Sequence, residues 1–348
     1  MHEKICFFEI TKDWDPESYS QKIKNKLEEV QKRAEILFVE EPLKEENAGN
    51  HWDITIASIY LDSVINEQIL QKMPSLKLII TRTVGFDHID ILACKRRGII
   101  VSNVPSYAPI TAAEYVFSLI FTLARRFQVA LEKIKNFDFS REGLLSIDLF
   151  QKTIGIIGTG NIGSEVARLA YGIGMRVIAY DINPSSLLVE KYKVEYVSLE
   201  QLLKESDIII LMIPYYSKTY HFINKENIRL VKENAMLINV ARGPLVETDA
   251  LLWALENGKL KGGVALDVFE GDYLFLEELY LKDQSIPWEE CQKSLKALKL
   301  LSYPQVIYTP RLADYTEEGL EKLKELVIRD IVHFLTYGSC ITKVEPYF

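Results

Sequence analysis

The chain reads as an α/β protein built from two doubly wound parallel-sheet domains, and three observations carry that reading. Short apolar strands alternate with amphipathic helical stretches almost throughout. A glycine-rich turn opens a second series of strands midway along the chain. The length of 348 residues, 48% of them hydrophobic, supplies two cores and exceeds what one usually fills.

In the first hundred residues, strands are expected at Ile5 to Phe8, Ile36 to Val39, Ile54 to Ala57 and Leu78 to Thr81, with an amphipathic helix over Tyr19 to Lys32. These make one small layer. From Val104 the character changes: Pro105 and Pro109 bracket a loop, and Thr111 to Arg126 forms a long apolar helix joining the domains. Thr111 sits at its cap with Glu114 three residues on, a capping-box pattern. The run Thr153-Ile-Gly-Ile-Ile then enters Gly158-x-Gly160-x-x-Gly163 and a helix. Gly158 permits a tight turn, Gly160 lets backbone approach a pyrophosphate, and Gly163 lets the helix pack on the strand, while amides of the helix start face the phosphates. A second strand, Arg176-Val-Ile-Ala-Tyr, ends at Asp181, where a carboxylate accepts from an adenosine ribose and repels a 2'-phosphate, which favours NAD over NADP. The plain alternative is an ordinary strand-turn-helix-strand with Asp181 a solvated strand end.

Asp207 to Ile213, Ala235 to Val240 and Gly263 to Asp267 read as further strands of this Rossmann layer. Residues 272 to 304 are an insertion with helical stretches at Leu274 to Lys282 and Glu289 to Leu301, before a strand at Val306 to Thr309. The last helix, Glu317 to Tyr337, carries an apolar stripe through Leu320, Leu323, Val327, Ile331 and Phe334 and is expected to return to the N-terminal domain.

A net charge of -8 argues against a nucleic-acid surface, and no apolar run is long enough to span a bilayer. The N-terminus has no signal-peptide core, so a cytoplasmic protein is expected. Cys6, Cys94, Cys291 and Cys340 are scattered, without metal-ligand spacing, and read as buried thiols.

Thr83-Val-Gly-Phe-Asp-His-Ile-Asp90, the glycine turn, Ile238-Asn-Val-Ala-Arg-Gly-Pro-Leu-Val246, Leu266-Asp-Val-Phe-Glu270 and Tyr308-Thr-Pro310 occur in an order and spacing that resembles the D-isomer-specific 2-hydroxyacid dehydrogenases. The resemblance covers nearly the whole chain and is nearest to the D-lactate dehydrogenase branch. It implies a flavodoxin-like substrate domain from residues 1–103 and 312–348, an NAD domain from 104–311, a homodimer, and a small 2-keto or 2-hydroxy acid as substrate. It further implies that the amides of Val84 and Gly85 receive the substrate carboxylate and that Tyr107 closes the substrate pocket. Amides on a glycine-containing loop after a strand suit that task; a strand-to-helix turn capped by Asp87 is the structural alternative.

By the same resemblance, Arg242 binds the 2-keto oxygen and carboxylate, for which its permanent charge and forked donors are suited. Gly158, Gly160, Asn161, Ile162, Gly163 and Asp181 bind the cofactor's phosphates and ribose. Ile213, Pro214, Thr219, Val240, Ala241 and Asp267 line its nicotinamide side, with Asp267 holding the carboxamide.

The acid-base pair departs from the pattern. The family places a histidine directly after Thr-Pro and a glutamate two residues after Asp-Val-Phe-Glu; here those positions hold Arg311 and Asp272. A guanidinium, with a pKa above about 12, does not cycle a proton near neutral pH. Three readings stand: Arg311 stabilises charge while Tyr315, Tyr107 or water relays the proton; Arg311 binds an extra acidic group of the substrate; or the chain is a weak or inactive NAD-binding regulatory protein. The histidines offer no clear replacement, although His221 lies in the cofactor domain.

Overall fold

The computed structural model describes residues 3–105, 107–271 and 288–345. Its strands are β1 (Glu3–Phe7), β2 (Ala34–Phe38), β3 (Ile56–Ile59), β4 (Leu78–Thr81), β5 (Ile100–Ser102), β6 (Thr153–Ile157), β7 (Arg176–Tyr180), β8 (Glu195–Tyr196), β9 (Ile208–Leu211), β10 (Met236–Asn239), β11 (Gly263–Leu266) and β12 (Val306–Tyr308). The helices that matter below are α1 (Gln21–Gln31), α2 (Glu67–Lys72), α3 (Ile91–Arg96), α4 (Pro109–Ala124), α5 (Phe127–Lys135) and α6 (Asn161–Ile173), with a C-terminal helix at Glu317–Tyr337. Asp272 and the expected helix at Leu274 to Lys282 lie outside the described residues, as does the side chain of Cys291.

The chain divides into two compact units, residues 1–108 with 316–348, and residues 109–315. Unit 1 holds a parallel sheet of order β2-β1-β3-β4-β5, the order of flavodoxin-like layers. Unit 2 holds a parallel sheet of order β12-β11-β10-β9-β6-β7-β8. That is the Rossmann order, with its switch point between β6 and β9. Two α/β domains with parallel sheets are therefore what the alternation of strands and helices foretold.

Both faces of the unit 2 sheet are covered, so its strands alternate between two cores rather than between core and solvent. Ile156, Ile210, Ile238 and Ala265 face one core, and Ile157, Leu211, Leu237 and Val264 the other. In unit 1 the stripe of the C-terminal helix, Leu323, Val327, Ile331 and Phe334, packs with Ile5, Phe7, Ile23, Leu27, Leu78 and Ile80. The return of that helix to the N-terminal layer follows from this burial.

The boundaries fall a few residues later than the sequence suggested, for two physical reasons. Val104, Tyr107 and Ala108 are buried in the core of unit 1, and the turn after β12 is hydrogen-bonded to unit 2 through Leu312 and Ala313. Helix α4 starts at Pro109 rather than at a Thr111 cap, since proline is favoured in a first helical turn, where its missing N–H costs nothing. It packs within unit 2 against Ile154, Ile156 and Ala167. Arg126, in the left-handed region with φ 48°, separates it from α5. Strands β5 and β8 escaped the sequence reading because three and two residues show no period.

Candidate active site

The glycine turn leaves β6 as its spacing requires. Gly158 has φ +98°, and a Cβ there would lie 2.7 Å from the Met212 carbonyl oxygen. A Cβ on Gly163 would lie 2.0 Å from the oxygen of Gly158, whereas one on Gly160 would meet nothing within 4 Å. The first and third glycines thus answer to packing, and the second leaves open space beside the start of α6, where Asn161, Ile162 and Gly163 form the first helical turn and its amides have no intrahelical acceptor. This open cradle fits a dinucleotide's phosphates. Asp181, after β7, ties the turn down: its Oδ2 accepts from the Thr159 amide at 2.6 Å and the Thr159 hydroxyl at 2.9 Å, and its Oδ1 accepts from the Asn183 amide at 2.8 Å. A carboxylate has about four acceptor positions, so one remains for a ribose hydroxyl.

Ile213 follows β9 and abuts Gly158. Thr219 donates to the Pro214 carbonyl at 2.8 Å and accepts from the Tyr216 amide at 2.9 Å, so its hydroxyl builds the turn 214–219.

The adjacent strands β10, β11 and β12 deliver the remaining groups. Buried Asn239 ends β10, donates to the Arg242 carbonyl at 2.9 Å and accepts from the Ala241 amide at 3.1 Å, closing the turn that runs through Val240 to Arg242. Asp267 ends β11. Its Oδ1 accepts from the Thr309 hydroxyl at 2.7 Å and the Leu312 amide at 2.9 Å, and its Oδ2 accepts from the Ala313 amide at 3.0 Å. Burial pushes the Asp267 carboxyl up, against the pull of these donors. Three protein donors thus hold the buried carboxylate. In this structure the Asp267 side chain anchors the turn after β12.

That turn carries Arg311, whose backbone is left-handed at φ 56° and whose amide donates to the Asp267 carbonyl at 3.2 Å. A non-glycine residue keeps such a conformation where its surroundings over-determine it. Three residues on lies half-buried Asp314, whose carboxyl burial pushes above the ordinary carboxylate range. Tyr315 is exposed.

In unit 1, Val84 and Gly85 follow β4 on a loop held by the Asn103 side chain, which donates to the Val84 carbonyl at 2.6 Å. Among the described residues, neither the Val84 nor the Gly85 amide donates to a protein acceptor, as a carboxylate receptor requires. Thr81, Thr83 and His88 brace the loop through hydroxyl–hydroxyl and hydroxyl–imidazole contacts of 2.6 and 3.0 Å, and α3 beyond it is capped by Asp90 rather than Asp87. Beneath it lies fully buried Arg82, donating to the carbonyls of Ser58, Phe8 and Glu9 and stacked 4.5 Å over Trp14. Burial pushes its guanidinium down to about 10, so it stays cationic at neutral pH. Tyr107 is buried in the core of unit 1. Burial likewise pushes the Cys6 and Cys94 thiols up to about 12, so they are inert.

The sequence reading missed Asn239, Thr159, Arg82, Asp314 and the pair His221–Glu270, joined at 2.6 Å. Asn239 and Asp314 left a signal, standing three residues from Arg242 and Arg311 respectively. The others act through bonds between residues far apart in the chain, which no local pattern records.

Residues 117–313 match the model of the D-isomer specific 2-hydroxyacid dehydrogenase NAD binding domain, more than half of the chain. A D-lactate dehydrogenase of Curvularia clavata is 33% identical over 85% of this chain and 83% of that protein. An aromatic 2-oxoacid reductase of Clostridium sporogenes is 35% identical over 81% and 83%. Among solved structures, the D-lactate dehydrogenase of Aquifex aeolicus complexed with NAD and lactic acid superimposes with a TM-score of 0.85 at 35% identity, covering 99% of this chain and 100% of that one. With the fold, the glycine turn and this kinship in agreement, the chain belongs to the D-isomer-specific 2-hydroxyacid dehydrogenase family, on its D-lactate dehydrogenase branch, and is an NAD-dependent oxidoreductase.

Proposed function

We propose that the protein reduces a small 2-keto acid to the D-2-hydroxy acid, with unit 1 as the substrate domain and Arg311 acting in place of an imidazole. The observation that carries this reading is the trio of neighbouring strand exits in unit 2: Arg242 after β10, Arg311 after β12, and between them Asp267, which pins the Arg311 turn.

NADH, when bound, supplies the hydride. Val84 and Gly85 receive the substrate carboxylate through their amides. The forked guanidinium of Arg242 binds carboxylate and keto oxygen together, fixing the face of the carbonyl that is presented. Arg311 cannot surrender a proton, but its fixed charge stabilises the oxygen as negative charge develops. The proton comes from Asp314, whose burial keeps it protonated to a higher pH than an ordinary carboxyl. The carboxylate left behind takes up a proton from solvent.

An NAD-binding regulatory protein with little turnover is the second reading, favoured by Arg311 itself. Purified protein incubated with NADH and pyruvate, glyoxylate, hydroxypyruvate, phenylpyruvate or oxaloacetate distinguishes the two by loss of NADH absorbance. Turnover that Arg242→Ala abolishes supports the enzyme. Tight NADH binding without turnover on any of them sinks it, and a preference for oxaloacetate would assign Arg311 to a second substrate carboxylate.

We also propose a homodimer. Phe127, Leu131, Ile134, Phe137, Phe139 and Leu145 on and after α5 are exposed, Phe137 at 85% and Leu145 at 89%, apolar side chains that a subunit interface would cover. Light scattering giving one chain's mass for the native protein would remove this proposal.

A further inference from the structure

The turn that aims Arg242 is gripped from two sides. Inside, Asn239 holds the Arg242 carbonyl. Outside, a single carboxylate ties three segments: Glu270, just past β11, accepts from His221 Nε2 at 2.6 Å on one oxygen and, on the other, from the amide and hydroxyl of Thr248 at 2.8 and 2.9 Å. Thr248 opens the helix that follows the Arg242 turn. His221 in turn donates its amide to the Pro244 carbonyl at 2.9 Å, and Ile223 donates to Leu245 at 3.0 Å, so the strip 221–223 runs beside 244–246. Gly243 is pressed on the same point: a Cβ there would lie 2.3 Å from the Phe269 oxygen and 2.9 Å from the Glu270 amide. His221 itself holds left-handed backbone at φ 49°, and the Tyr220 ring stacks on its imidazole at 3.8 Å.

We propose that Glu270 is a positioning residue for Arg242, clamping the β10 turn to the exit of β11 through His221 on one side and Thr248 on the other. The inference rests on the reading of Arg242 as the ligand of the keto acid. It assigns His221 a structural task, since its Nε2 is spent on Glu270 and its ring face on Tyr220. The clamp matters because a displacement of about 1 Å in an orienting group costs up to about a hundredfold in rate.

The test compares Glu270→Gln, Glu270→Ala and His221→Phe with the native chain. Glutamine preserves the geometry: its amide oxygen accepts from Thr248 and its amide nitrogen donates to the imidazole in the other tautomer. The expected result is that Glu270→Gln keeps kcat/KM for pyruvate within about threefold. Glu270→Ala should lose about a hundredfold while the NADH dissociation constant, read by fluorescence, stays within about twofold, because neither residue touches the glycine turn. His221→Phe, which spares the Thr248 half, should fall between. Amide hydrogen exchange of residues 240–247 in the cofactor-free protein should rise in Glu270→Ala and not in Glu270→Gln.

A Glu270→Ala protein with native exchange in that segment and native kcat/KM overturns the proposal. So does a Gln variant as impaired as the Ala variant, which would make the negative charge the operative property. Should Glu270→Ala fail to fold, His221→Phe with unaltered exchange at 240–247 overturns it alone. Arg242→Ala run alongside separates the two failures: if Arg242→Ala leaves turnover intact, the underlying reading falls; if only the clamp variants are silent, the clamp falls.

Discussion

Two turns of unit 2, the glycine turn after β6 and the Arg311 turn after β12, are built by the same device and differ in what they leave free. Each leaves the C-terminal end of a parallel strand and is pinned by an aspartate ending the neighbouring strand, Asp181 after β7 and Asp267 after β11. Each carboxylate accepts three protein donors, but Asp181 is half-buried and retains room for a ligand hydroxyl, whereas Asp267 is buried at 2% exposure beneath its turn. The first turn owes its shape to steric demands on single residues, which a side chain would violate. The second owes its shape to a carboxylate beneath it, so the residue at its tip can change from imidazole to guanidinium without the backbone moving.

The largest effect should come from breaking the steric turn. Gly163→Ala puts a Cβ 2.0 Å from the Gly158 oxygen, and the helix must retreat from the strand. NADH affinity measured by fluorescence should fall by at least about a hundredfold, since the phosphates lose both the cradle and the helix amides. Unchanged affinity would mean that the cofactor does not lie on this turn.

Asp267→Ala should come next and should act on the other turn only. It leaves the Leu312 and Ala313 amides and the Thr309 hydroxyl without their acceptor, at about 1 to 3 kcal/mol for each buried donor left unpaired. The turn should loosen, lowering kcat/KM for the keto acid by about a hundredfold or more, with NADH affinity held within a few-fold. Equal losses in both quantities would show that the two turns are not independent.

How much of this was legible follows from the same contrast. The glycine spacing and the alternation of strands and helices are short-range patterns, so the fold could be read from the whole chain and the glycine turn from residues 153 to 163. Arg242 and Arg311 were legible by resemblance, as a match and as a departure. The service of Asp267 was not: the residue itself was legible, but its partners lie 42 to 46 positions away, and nothing in Leu-Asp-Val-Phe-Glu says they are donors. Glu270 escaped for the same reason, its partners standing 49 and 22 residues back. The start of α4 was misplaced because Thr111 and Glu114 imitate a capping box, while Pro109 is the better helix start.

Exchanging the residue at the tip should sharpen the comparison further, because the anchored turn should accept the change. Arg311→His, alone or with Asp272→Glu, should raise the reduction rate by about tenfold or more as an imidazole donor is restored. The native profile should fall as pH rises through the Asp314 pKa, which burial places above the ordinary carboxylate range, because the proton-loaded form is lost there. Asp314→Asn should remove that limb; adding Arg311→His should install one near the ordinary imidazole value of about 6.5. A native profile that survives Asp314→Asn unchanged would take the proton from elsewhere.

The smallest effect concerns the acceptor position that Asp181 keeps open. Asp181→Asn retains a carbonyl oxygen for the Thr159 amide and hydroxyl, gives up the acceptor of the Asn183 amide, and removes the negative charge. A carboxylate and a 2'-phosphate about 4 Å apart repel by about 1 kcal/mol per charge pair in water, and the phosphate carries nearly two charges, so NADPH affinity should improve by about tenfold. NADH should weaken only a few-fold, since an amide still bonds a ribose hydroxyl, though without the charge assistance. Asp181→Ala removes anchor and charge together. If NADPH gains nothing in the Asn variant while the Ala variant loses both cofactors, Asp181 serves only to anchor its turn, as Asp267 does, and the difference between the two turns disappears.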